Sequence, residues 1–144
     1  MGKKILGLTL ARGGSKSIHK KNISLLLGKP LISYTIKEAL KSKFLTHYIV
    51  STDDVEIQKV SQESGASAPF LRPKNISSDT ASSVSAIKHA VSWMEDTVNI
   101  KFDYVIEIMC TNPLKTVSDI NNVIKKIIKT NADTVIAVHK LDDH

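Results

Sequence analysis

The stretch ILGLTLARGGSK, residues 5–16, decides the architecture. Its first six residues are almost wholly apolar, as in a strand buried on both faces of a parallel sheet, and the run then breaks into Ala-Arg-Gly-Gly, the makings of a turn. Working outward, PLISYTIKEALK (30–41) has apolar residues at helical spacing with a proline suited to the first turn. HYIVST (47–52) reads as a second strand. Asp54 then caps a helix that runs to Glu63 and stops at Gly65. Residues 66–71 are a short extended segment, 72–80 a polar loop, and 82–94 a helix carrying Val84, Ile87, Val91 and Met94 on one side. A third strand is predicted over 104–110, a helix over 118–129 and a fourth strand over 134–138.

Strand and helix alternate throughout, which predicts a single α/β domain over residues 1–144: a three-layer sandwich with a mostly parallel central sheet. Ligands of such sheets sit at the carboxyl ends of the strands. That rule places residues 12–22, 51–54 and 111–115 around one mouth.

Composition narrows the function. The chain is 42% hydrophobic and 24% charged, ordinary for a globular protein. No apolar run approaches a membrane span, and the start is too short for a signal peptide; Leu6 also breaks the myristoylation pattern, so a cytoplasmic protein without membrane attachment is expected. The one cysteine, Cys110, lies in an apolar run and reads as a buried thiol. Trp93 and Tyr34 read as core residues. Net charge is +6, and residues 1–37 hold eight Lys or Arg and no acid, leaving an excess of −2 for the rest. Cations concentrated on one loop suit a bound polyanion such as a nucleotide's phosphates. The aromatic content of 5% argues against a base-stacking nucleic-acid platform.

In that loop the backbone N–H groups of Gly13, Gly14 and Ser15 can converge on an anion, with Arg12, Lys16 and Lys21 adding charge. The P-loop signature has no match, since Gly28-Lys29 is followed by Pro30, and G-x-G-x-x-G is absent. His19 and Lys20 read as solvated surface. Asp53 stands open between a site role and a surface role. Residues 79–83 also read as a plain helix N-terminus with a Ser or Thr cap, a reading compatible with ligand binding.

ARGGSKSIHKKN followed by LLLGKPLISYTI resembles the start of the acylneuraminate cytidylyltransferase family, which activates sialic and related nonulosonic acids as CMP-sugars. IVSTDD (49–54), LRP (71–73), SDTASS (78–83) and TNPLK (111–115) resemble later family segments in the same order. The resemblance implies a Rossmann-like nucleotidyltransferase fold, of which the chain covers the N-terminal portion. It implies that Arg12 and Lys21 carry catalysis by neutralising the phosphates of CTP. Gly13, Gly14, Ser15 and Lys16 would complete the cradle, Asn22 would fix the nucleotide at its sugar, and Arg72, Ser82 and Ser83 would read cytosine. Met109 stands where the family has a ligand-contacting Gln, and Asn112 and Lys115 replace its Ser and Arg.

The reaction implied is attack of the sugar's anomeric hydroxyl on the α-phosphate of CTP, with pyrophosphate released and Mg²⁺ required. The resemblance places the magnesium-holding aspartates and a dimer-forming arm beyond residue 144. No metal ligand is assigned within the chain, and the 144 residues alone are expected to turn over little. Alternatives are a cytidylyltransferase for another acidic keto-sugar, a non-catalytic nucleotide-binding remnant or regulatory domain, and a nucleic-acid module.

Overall fold

The computed structural model describes residues 2–138. A three-stranded parallel sheet has the order β4-β1-β5, built from β1 (Ile5–Leu10), β4 (His47–Ser51) and β5 (Tyr104–Glu107). The register runs from Leu6 opposite His47 to Leu10 opposite Ser51, and from Ile5 opposite Tyr104 to Leu8 opposite Glu107. Central β1 is covered on both sides, which is why its sequence is apolar without alternation. Ile5 and Ala11 belong to the core under α1 (Leu31–Leu40), α2 (Val55–Glu63) and α4 (Val117–Thr130), with Ile36, Ile57 and Ile124. Leu6 and Leu8 face α3 (Ser83–Val98), with Ala90 and Met94. The three-layer arrangement is therefore present, with α3 alone on its face. Burying Leu6 and Leu8 completely contributes about 1.5–3 kcal/mol each.

Two further features hold the sheet. Thr9 donates to the carbonyl of Ile108 at 2.7 Å and shares a hydrogen bond with the Tyr48 hydroxyl at 2.8 Å, so one buried chain of polar groups runs from β4 across β1 to the residue just past β5. Gly7 makes room for its neighbours, because a Cβ there would stand 2.8 Å from a Leu45 methyl and 3.1 Å from the Tyr48 ring. Along the outer side of β4, residues 66–72 run parallel through bridges at Ser67 and Leu71, as the short extended segment predicts.

Helix ends follow the sequence closely. Asp54 caps α2 by accepting from the Glu56 and Ile57 amides, and Thr116 and Asp119 form a reciprocal capping box on α4. Glu38 ties two helices together: its carboxylate accepts from the Val117 amide at 2.9 Å and pairs with Lys41. The Lys41 hydrogen bond, then that of Val117, hold the Glu38 carboxyl below the usual carboxylate range. Its stabilising contribution is thus present above the unfolded-state pKa and is lost as pH falls through the lower folded value. Glu38→Gln is expected to cost about 1 kcal/mol at pH 7 in urea unfolding and almost nothing well below the carboxylate range; a difference that persists in acid would contradict this.

Three expectations need correction. Residues 134–138 form no strand: Ile136 and Val138 are exposed, and nothing among the described residues pairs with the outer edge of β5. An alternating apolar pattern yields a strand only where a neighbour supplies hydrogen bonds and cover. The third strand ends at Glu107, although the Ile108 amide still donates to Leu8 at 2.8 Å. Tyr34 and Trp93 are half-buried margin residues: the Tyr34 hydroxyl donates to the Leu26 carbonyl, and Trp93 packs on Phe70 at 5.1 Å. Leu26 belongs to a hairpin the sequence reading did not anticipate, β2 (Leu25–Leu26) with β3 (Lys29–Pro30), turned by Leu27 and Gly28 at φ 49° and 77°. No described helix is long and apolar enough to cross a membrane.

Candidate functional site

A cleft of about 540 Å³ opens at the carboxyl ends of β1 and β5, within the size range of small-molecule sites. Of the ten residues the sequence nominates, all but Gly13 line it: Arg12, Gly14, Ser15, Lys16, Lys21, Asn22, Arg72, Ser82 and Ser83. The strand-end rule thus locates the mouth, although Thr111 alone of the 111–115 turn reaches the cleft, and no residue of the 51–54 segment lines it.

Gly13 lies behind the wall. Its amide donates to Asp53 at 2.9 Å, and a Cβ on it would stand 2.7 Å from Asp54 Oδ2 and 2.9 Å from Asp54 Cβ. Asp53 therefore holds the loop, and Gly13 lets the loop lie against the cap of α2. Gly14 faces open space. Lys20, read from sequence as a solvated residue, is half-buried: it adopts φ 47° and pairs with Asp54 at 3.5 Å and with Glu56, whose hydrogen bond is the largest influence raising its pKa. Ion pairing fixes this strained residue as a strut between the loop and α2. His19 is exposed.

Asn22 is buried, and its amide is already engaged. Its nitrogen donates to the Arg12 carbonyl at 3.1 Å, and its oxygen accepts from the Cys110 thiol at 2.8 Å. It joins the loop to the end of the third strand segment and fixes the backbone of Arg12. Burial pushes the Cys110 thiol up, so it stays protonated and serves as this donor.

Arg72, 5% exposed, is the deepest cation of the cleft. Its Nε donates to Ser77 Oγ at 3.0 Å and its Nη1 to the Ser51 carbonyl at 3.4 Å. Burial lowers its pKa, the nearby Asp53 carboxylate opposes that, and Arg12 adds to it; an arginine remains charged regardless. Ser82 caps α3 by accepting from the Ser85 amide, and Ser83 opens the helix, so the positive end of a 16-residue helix faces the cleft. Helix-cap and cleft-lining readings of this pair hold together.

On the opposite wall stand Glu107 and Met109, the latter 59% exposed. Lys115 turns away from solvent to donate to Thr35 Oγ1 at 2.9 Å and to the carbonyls of Met109 and Asn112. It is a loop brace, and burial lowers its pKa. Two residues of the site escaped the sequence reading. Glu107 sits in what looks like plain strand, and Asp79 sits in what looks like a helix cap. Asp79 instead lies three residues before the N-cap Ser82, with its carboxylate on both Arg12 and Lys16. Among the described residues Lys21 has no ion-pair partner, and no group of three or more His, Cys, Asp or Glu is placed to hold a metal.

Fold and cleft together define a Rossmann-like α/β domain whose strand ends open on a cationic, serine-lined mouth. The family described as cytidylyltransferase matches residues 6–144, and the chain belongs to it. A pseudaminic acid cytidylyltransferase of Campylobacter jejuni is 39% identical over 92% of this chain and 56% of its own length. A CMP-N,N'-diacetyllegionaminic acid synthase of Legionella pneumophila is 33% identical over 94% of this chain and 57% of its own. The chain thus spans a little over half the length of these curated relatives. Among solved structures, a CMP:2-keto-3-deoxy-manno-octonic acid synthetase complexed with CTP superposes with a TM-score of 0.71 over 90% of this chain and 49% of that one. At 21% identity that likeness speaks for the fold.

Proposed function

We propose that the chain supplies the nucleotide-binding half of a cytidylyltransferase that moves CMP from CTP to the anomeric hydroxyl of a nonulosonic acid. The observation that carries this reading is the convergence of Arg12, Lys16, Lys21 and Arg72 with the N-terminus of α3 on one cleft. In the reaction the sugar's hydroxyl oxygen gives up its proton to solvent and bonds to the α-phosphorus, the bond to the bridging α–β oxygen breaks, and pyrophosphate leaves with its charge. Arg12 and Lys21 would neutralise that developing charge, with positioned cations a large share of such catalysis. Lys16, Gly14 and Ser15 would hold the outer phosphates. Arg72, Ser82 and Ser83 would meet the cytosine edge, where hydroxyl and guanidinium groups can separate an amino from a carbonyl substituent. Asn22 and Gly13 act through the loop by fixing its backbone.

Relatives named as a pseudaminic acid cytidylyltransferase and a CMP-N,N'-diacetyllegionaminic acid synthase support a sugar of that acidic class as acceptor. Mg²⁺, when bound, would supply further positive charge to the phosphates. Among the described residues no group of three or more His, Cys, Asp or Glu is placed to hold it. A cytoplasmic setting agrees with the single protonated thiol.

The test is a thermal-shift titration with CTP, UTP, ATP and a short oligonucleotide, with and without Mg²⁺. CTP at about 100 times its Kd is expected to stabilise the fold by about 2.7 kcal/mol, with UTP and ATP well behind. Equal stabilisation by every polyanion would leave only a generic basic cleft.

A further inference from the structure

The two foremost cations of the cleft are already occupied by an anion from the chain itself. Asp79 spreads its carboxylate across them, Oδ1 against the Arg12 guanidinium and Oδ2 3.3 Å from Lys16 Nζ. Hydrogen bonds from Lys16 and Arg12 hold the Asp79 carboxyl below the usual carboxylate range, so it is charged at neutral pH.

We propose that Asp79 is an internal stand-in for phosphate, a latch that closes the nucleotide's phosphate subsite until a polyphosphate displaces it. The inference rests on the reading of the cleft as a nucleotide site and adds a residue that controls access to it. Three observations support it. The carboxylate contacts the same two side chains that an incoming phosphate would use. Residues 78–81 are otherwise bound lightly: the Ser78 and Thr80 hydroxyls meet each other at 3.2 Å, the Ala81 amide returns to Ser78, and the side-chain bonds leaving the segment, among the described residues, are those of Asp79. The segment is fixed at both ends, by Ser77 on Arg72 and by Ser82 capping α3, so it can swing without unravelling either support.

A triphosphate carries several charges against one, and repels the carboxylate as it takes the cations. Lys21, which has no ion-pair partner among the described residues, offers the first contact. Displacement frees the segment that leads directly into Ser82 and Ser83, so arrival of the phosphates is felt at the proposed base-reading end. While closed, the latch lowers the apparent affinity of every ligand that needs Arg12 and Lys16 by the fraction of molecules that are open.

The test measures binding of inorganic tripolyphosphate and of CTP by calorimetry at 0.15 M salt, for the parent chain and for Asp79→Asn. Exposed ion pairs are individually weak, so opening the latch is expected to tighten both ligands by about threefold to tenfold, and by the same factor. Asp96→Asn controls for charge alone: it removes one exposed carboxylate from α3, outside the cleft and without freeing Arg12 or Lys16, and should change both affinities by less than about twofold. In an Arg12→Ala background the gain from Asp79→Asn should shrink. Unchanged or weaker tripolyphosphate binding by Asp79→Asn, an equal gain from Asp96→Asn, or a gain confined to CTP would overturn the latch. The cytidine reading fails separately, if tripolyphosphate binding responds as stated while CTP, UTP and ATP remain indistinguishable.

Discussion

Arg12→Ala is expected to raise the dissociation constant for CTP by about 10–100-fold, equivalent to the roughly 1.5–3 kcal/mol typical of a hydrogen bond to a charged group. Its melting temperature should move by only a few degrees, because the Arg12–Asp79 pair is about 40% exposed and worth little to the fold. Arg12 follows Ala11, a fully buried residue, so the backbone that aims the guanidinium is fixed by the core and by Asn22. The variant therefore deletes charge at one place and leaves the loop standing. Calorimetry with CTP, alongside a melting curve, separates the two effects; retained affinity would remove Arg12 from the phosphate subsite.

Gly13→Ala should act in the opposite manner, through the scaffold. The added methyl group would meet Asp54, whose side chain cannot retreat without releasing the Glu56 and Ile57 amides it caps. Overpacking of this kind costs about 1–3 kcal/mol, which for a chain of this size lowers the melting temperature by about 5–10 °C. The Asp53 contact to the Gly13 amide is strained at the same time, so CTP binding should weaken as well. Asp54→Gly removes the opposing Cβ, and glycine is a tolerable cap. The double variant Gly13→Ala, Asp54→Gly is expected to recover most of the lost stability. A single Gly13→Ala variant that melts with the parent would show that the loop does not depend on this contact.

Much of the architecture was legible because its causes are local. The apolar run 5–10 reads as doubly covered strand and becomes the centre of the sheet, and Asp54 and Ser82 announce the starts of α2 and α3. The strand at 134–138 was misread because pairing depends on a neighbour, which no local pattern specifies. The hairpin at 25–30 was missed because Leu27 carries a left-handed backbone without the usual Asn or Gly signal. In the cleft, residue types were legible and their engagements were not. Asn22 looks like a ligand contact until its amide is found on Arg12 and Cys110. Asp79 looks like a helix end and Lys20 like surface until the fold brings them to partners 67 and 36 positions away, Arg12 and Glu56.

The strand order β4-β1-β5 has a consequence for biosynthesis. Both neighbours of β1 lie downstream of it, and the second arrives only with residues 104–107. At about 5–20 residues per second, roughly 5–20 s separate the appearance of β1 from that of β5. Throughout that interval Leu6 and Leu8, destined to be fully enclosed, have no strand on one side, and for most of it no α3 above them either. Of the three strands, the one at the middle of the sheet is the first to leave the ribosome and the last to be surrounded.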